Sequence, residues 1–254
     1  MIDVYAIGGP GLAWSLGSKW RHWMVILPDS DDLLGQWVAW RRAFPDAYVI
    51  LDPPIWERKT WSVLRWKRAV ELLNPNGVVV PDGIRDGVPF VMWDLLEYLL
   101  ERPWIELYLP LHMELVQEYQ RLPEDTLASI VGGIPLPGLG GRDATVREWQ
   151  EALPEVGRYH QLGMPRSGEV LVGVQSVDTA KPVTAAIWGM TWSEYVAAEV
   201  KPKRPPFLFE WIPATPLEQQ LVLRNLHDAQ RYAEDASKAR PRRGRPPSRV
   251  AQRK

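Results

Sequence analysis

Three aspartates stand where a parallel sheet could use them. Asp52 closes the run Ala47-Tyr48-Val49-Ile50-Leu51, Asp82 follows Gly77-Val78-Val79-Val80-Pro81, and Asp178 follows Gly173-Val174-Gln175-Ser176-Val177. One acid after an apolar run is commonly a helix N-cap or a turn residue. Three of them, each just past a strand-like segment, would meet on the face where parallel barrels place their chemistry. Carboxylates gathered there can act as nucleophile, as general acid and base, and as acceptors for the N–H groups of a ligand. The chain has no cysteine, which excludes thiol catalysis, thiolate metal sites and disulfides. His160 and His227 are too isolated in sequence to form a metal site of their own, and no cofactor is expected.

The elements that must position these acids read as an alternation. Strand-like apolar runs fall at residues 23–28, 47–52, 77–82, 104–109, 127–131, 159–162 and 169–174, and helical spacing at 61–73 and 91–101. This rhythm predicts an α/β protein with a parallel sheet, closed or open, and helices outside it. A chain of 254 residues suits one such domain. Residues 1–205 are expected to form it. Residues 216–238 form a polar helix carrying Leu217, Leu221, Leu223, Leu226 and Ala229, within a C-terminal helical segment spanning 206–238. Residues 239–254 read as a disordered basic tail.

Composition narrows the class further. The chain is 46% hydrophobic and 24% charged, as expected of a globular protein. Its fourteen tryptophans would mostly fill the core, although exposed ones could stack on bases. No apolar run nears the roughly 18 residues that cross a bilayer, and Met1-Ile2-Asp3-Val4-Tyr5 does not begin a signal peptide. A cytoplasmic location without membrane contact is expected. The net charge of −1 conceals an asymmetry. Eight of the 30 Lys and Arg lie between Lys238 and Lys254 without any acid, leaving 22 against 31 acids in the body. A mildly acidic body with a basic tail reads as a tethered binding segment.

Taken in order, four segments resemble the tRNA-guanine transglycosylase superfamily, which includes the phage and bacterial enzymes that place 7-deazaguanines in DNA. Arg158-Tyr159-His160-Gln161-Leu162-Gly163 with Gly173-Val174-Gln175-Ser176-Val177-Asp178-Thr179 is similar to the family's Tyr-Leu-Met-Gly strand and its Gly-(Val/Ile)-Asp-x-Phe-Asp strand end. The second Asp of that pattern is the family's nucleophile and falls on Asp178; Gln175 stands in place of the first. Ser129-Ile130-Val131-Gly132-Gly133-Ile134 resembles the Ala-Ile-Gly-Gly-Leu segment, whose Gly pair lies against the base, and glycine permits so close a main-chain approach. Residues 77–82 resemble the strand carrying the base-recognition Asp, here Asp82. Ile50-Leu51-Asp52 resembles the start of Asp-Ser-Gly-Gly-Phe, where only the Asp carries over, as the acid/base partner.

The resemblance implies a (β/α)8 TIM-type barrel, with catalytic Asp178 and Asp52 and a base pocket of Asp82, Gly132, Gly133, Trp56 and His160. Trp56 would either sandwich the base or pack beneath its loop. The family's zinc subdomain needs cysteines that this chain lacks, which points to a minimal relative without metal. Pro241-Arg242-Arg243-Gly244-Arg245-Pro246-Pro247 holds Arg-Gly-Arg-Pro, the core of an AT-hook. Arg242, Arg243 and Arg245 would lie in the minor groove of A·T-rich DNA, or else bind any polyanion through phosphates.

The implied partners are duplex DNA with one base flipped out and a free 7-deazaguanine such as 7-cyano-7-deazaguanine. The implied role is modification of phage DNA against restriction. Three other readings remain open: a tRNA-acting relative, a nucleosidase using the same carboxylates, and a non-catalytic DNA-binding protein.

Overall fold

Five-residue runs of β-branched, aromatic and aliphatic residues build the centre of the molecule. In the computed structural model, which describes residues 2–53, 62–85, 88–135, 144–164, 170–199, 202 and 205–238, eight parallel strands close into a barrel. They are β1 (Asp3–Ile7), β2 (His22–Ile26), β3 (Tyr48–Asp52), β4 (Gly77–Val79), β7 (Glu106–Pro110), β8 (Val131–Pro135), β9 (Arg158–Leu162) and β10 (Ser176–Thr179). Strands β5 (Asp82–Arg85) and β6 (Val88–Val91) form an antiparallel hairpin outside the barrel, so β4 pairs with β7 directly. The protein is therefore an α/β barrel of the (β/α)8 type.

Helices follow the strands: α1 (Pro10–Leu16), α2 (Asp31–Ala43), α3 (Val63–Leu73), α4 (Trp93–Leu100), α5 (Val116–Tyr119), α6 (Glu124–Ser129), α7 (Val146–Ala152), α8 (Lys181–Ile187), α9 (Trp192–Ala197) and α10 (Pro216–Lys238). Among the described residues, the β9–β10 connection contains no helix. None of the described helices is long and apolar enough to cross a membrane.

Alternation along each strand separates two apolar layers. Val4, Ala6, Trp23, Val25, Val49 and Leu51 face the helices and join the large outer core. Tyr5, Ile7, Met24, Ile26, Ile50 and Tyr108 face the barrel axis. Tryptophans thicken the outer layer, and Trp23, Trp37 and Trp40 meet edge-to-face at 5.5–5.9 Å between ring centres.

Two expected strands are placed differently. Residues 127–131 were expected to be extended, but Leu127 lies in α6, whose start is favoured by Pro123 at its N-cap and Glu124 and Asp125 in its first turn; the strand begins at Val131. The described part of 169–174 is turn and coil, because Gly173 has φ +98, a conformation that ends an extended run. The strand on that segment begins only at Ser176. β4 also ends at Val79, three residues before Asp82, which instead opens the hairpin.

The C-terminal helix is part of the same body. It packs on α8, α9 and β1, and the fully buried Asn225 ties it down. Asn225 Oδ1 accepts the Trp192 N–H at 2.8 Å, and its Nδ2 donates to the Met190 carbonyl at 2.9 Å and the Pro182 carbonyl at 3.3 Å. The chain before α10 crosses the end of β1. A Cβ on Gly9 would stand 1.6 Å from the Phe209 carbonyl oxygen, so only glycine admits this crossing. Asn225→Ala would strip three backbone groups of their partner. It is expected to cost about 2–4 kcal/mol, read from the midpoint of urea unfolding.

Candidate active site

Asp178 reaches the barrel axis because of the register between β9 and β10. Ser176 stands opposite His160 and Val177 opposite Gln161, so Ser176, His160 and Asp178 share the inner face. Asp178 is 6% exposed and His160 fully buried. His160 Nε2 lies 3.0 Å from Asp178 Oδ1, and His160 Nδ1 lies 2.8 Å from Ser176 Oγ. The Gly163 N–H donates to the same Asp178 Oδ1 at 2.8 Å. Gly163 can aim its N–H there because it sits at φ +83, where other residues are strained. Gln161 holds that turn: its Nε2 donates to the Gly163 carbonyl at 2.9 Å and its Oε1 accepts the Leu171 N–H at 2.7 Å. None of the described residues bonds Asp178 Oδ2. The acid thus has one oxygen anchored and the other without a hydrogen bond to a described residue.

A second His–Asp pair lies at the same end of the barrel. His112, two residues past β7, places Nε2 2.7 Å from Asp82 Oδ2, and both side chains are at least nine-tenths buried. His112 Nδ1 has no hydrogen-bond partner among the described residues. Asp52 ends β3, half-buried, with its carbonyl accepting the Leu27 N–H at 2.9 Å. In the strand order, β3 lies three places and β4 four places around from β10. Asp52 and Asp82 therefore come from the far side of the strand ends that carry Asp178.

The remaining expected residues divide. A Cβ on Gly132 would meet Leu111 at 2.7 Å and Tyr159 at 3.0 Å, so this glycine answers to packing between sheet and helices. Gly133 faces the other way, towards Leu162 at 3.1 Å. His160, expected against a base, instead has both ring nitrogens engaged and holds the carboxylate. Trp56, Arg242, Arg243 and Arg245 lie outside the described residues. Sequence reading did not single out His112 or Ser176. A histidine just past the apolar run Leu107-Tyr108-Leu109-Pro110-Leu111 was a signal of the same kind as the three aspartates.

The opposite, N-terminal end of the barrel holds a cavity of about 290 Å³ lined by Tyr5, Tyr48, Glu106, Tyr108, Arg158 and Ser176 among others. Glu106 accepts from Tyr48 at 2.5 Å and Tyr108 at 2.7 Å and pairs with Arg158. Burial alone would raise the Glu106 carboxyl, but these donors outweigh it and hold the group below the usual carboxylate value. Burial, reinforced by the bond to Glu106, pushes the Tyr48 phenol well up, so it stays a donor. This end is the one barrels use for stability rather than chemistry, and the cluster is saturated internally.

No family model matches the chain, and no curated protein matches it. Among solved structures, active domain 2 of a chitinase from Pyrococcus furiosus aligns with a TM-score of 0.47 and 10% identity, over 90% of this chain and 95% of that chain. So slight a likeness says nothing of the chemistry here.

A depressed carboxyl stabilises the fold above its unfolded value, about 4.3, and that contribution is lost as pH falls through the lower folded value. Glu106→Gln should therefore cost about 2 kcal/mol at neutral pH. The gap to the native protein should narrow below about pH 4, as followed by urea midpoints across an acid series.

Proposed function

We propose that this protein is a DNA-guanine transglycosylase, exchanging a guanine of DNA for a 7-deazaguanine base with Asp178 as nucleophile. The observation that carries the reading is the anchoring of Asp178. Its Oδ1 is fixed by His160 and the Gly163 N–H, while Oδ2 hydrogen-bonds none of the described residues. The motif resemblance through 158–179 supports the same assignment, as does the position of Asp178 at the end of the barrel that carries chemistry in this fold.

The target nucleotide swings out of the duplex, since its glycosidic bond is out of reach while stacked. Asp178 Oδ2 attacks C1′, the C1′–N9 bond breaks, and Asp52 gives its proton to the departing guanine. A glycosyl ester on Asp178 remains. The incoming 7-deazaguanine attacks C1′ from the face that guanine left and returns its own proton to Asp52, and the ester bond breaks. Two inversions restore the original configuration, the logic of retaining glycosidases. One glycosidic bond replaces another, so the exchange balances without a cofactor. Asp82, oriented by His112, accepts from the N1–H and exocyclic amine shared by both bases. The choice of DNA rests on the Arg242-Arg243-Gly244-Arg245 tail and on the missing cysteines. Such a product would shield phage DNA from restriction.

The test supplies radiolabelled guanine with plasmid DNA or with tRNA. Label should enter DNA, and Asp178→Asn should lower incorporation by roughly a thousandfold or more while DNA binding persists. Label in tRNA alone would make the polymer tRNA. Release of free guanine without uptake would identify a nucleosidase. No exchange, with DNA binding dependent on residues 239–254, would leave a binding protein.

A further inference from the structure

His160 is gripped at both nitrogens, and the position of its proton decides what Asp178 can do. Ser176 and Asp178 are alternate residues of β10 and project to one side, while His160 projects between them from β9. Other groups packed on the imidazole are the rings of Tyr5, 5.9 Å away on β1, and Tyr108, 5.2 Å away on β7. Beyond Tyr108 stands Glu106, whose charge is met by Arg158.

Nε2 must carry a hydrogen, because an ionised carboxylate only accepts and Asp178 Oδ1 already receives the Gly163 N–H. Nδ1 faces a hydroxyl, which can donate or accept. Ser176 Oγ has no other hydrogen bond with a described residue, so Nδ1 is the acceptor for its hydrogen. A second proton on the ring would reverse that contact and leave the hydroxyl hydrogen without a protein acceptor.

We infer that Ser176 is a positioning residue for the site, donating to His160 Nδ1 and fixing the ring as the neutral Nε2–H tautomer. In that state His160 gives Asp178 a hydrogen bond without neutralising it as a cation would. The carboxylate keeps its charge, and Oδ2 keeps its nucleophilicity. The consequence for glycosyl transfer rests on the reading of Asp178 as nucleophile; the tautomer itself does not.

The deciding measurement is NMR of protein labelled with 15N in its four histidines, with His160 assigned through His160→Gln. The native protein should show His160 as a neutral ring protonated at Nε2. Ser176→Ala should lose that single state, gaining the doubly protonated form, and Ser176→Thr should restore it. A doubly protonated or Nδ1–H ring in the native protein would overturn the inference, and so would a Ser176→Ala ring identical to the native one. The native spectrum decides the first point even if Ser176→Ala does not fold.

In the exchange assay, Ser176→Ala should lower kcat by about tenfold with KM unchanged, and threonine should restore it. A native protein with the expected tautomer but no base exchange on any polymer would sink the nucleophile reading and leave the tautomer assignment standing. Exchange by a protein whose His160 is doubly protonated would do the reverse.

Discussion

The register of β9 against β10 is the constraint on which the rest of the site depends. A slip of one residue would send Asp178 outward among the helices and bring Val177 to the axis, since side chains alternate strictly along a strand. Two glutamines guard against it. Gln175 Oε1 accepts the Tyr159 N–H at 2.6 Å just below the paired segment, and Gln161 ties Gly163 and Leu171 just above it. Each takes a backbone group that the short ladder leaves over. In the resembled family's pattern an Asp stands where this chain has Gln175, and here that residue fastens the strand pair at the end remote from Asp178.

Much of the barrel was legible because apolar runs of five residues followed by an acid or a turn residue are local signals. Asp52 closes its strand as expected. So does Asp178, with only Thr179 beyond it, although its strand begins at Ser176 rather than near residue 169. Gly173 looked like part of an apolar run, and only its backbone angle reveals a turn. Leu127 belonged to a helix of only six residues, too short to show a period. β1 was not among the expected strands at all.

The site was less legible, because its pairings depend on which strands become neighbours. Asp82 and His112 are 30 residues apart and meet only because the β5–β6 hairpin leaves the barrel and allows β4 to lie beside β7. His160 and Ser176 are 16 residues apart and meet only through the ladder. No spacing rule within one element joins either pair. The acids could be found singly, but their partners could not.

Among the apolar Ile7, Met24, Ile26 and Ile50, the barrel axis also carries phenols, a carboxylate, an imidazole and a second carboxylate, from Tyr48 and Glu106 at one end to Asp178 at the other. Barrels of this type ordinarily fill that axis with branched aliphatic side chains. Cohesion lost at the centre has to be recovered between sheet and helices, and there the chain is dense in indole. Trp23, Trp40, Trp66 and Trp149 are all fully buried, and the Nε1 atoms of the last three have no acceptor among the described residues. They serve as large hydrocarbon surfaces whose polar atom goes unused. The wealth of tryptophan and the polar axis are two sides of one arrangement, a barrel held together by its sleeve.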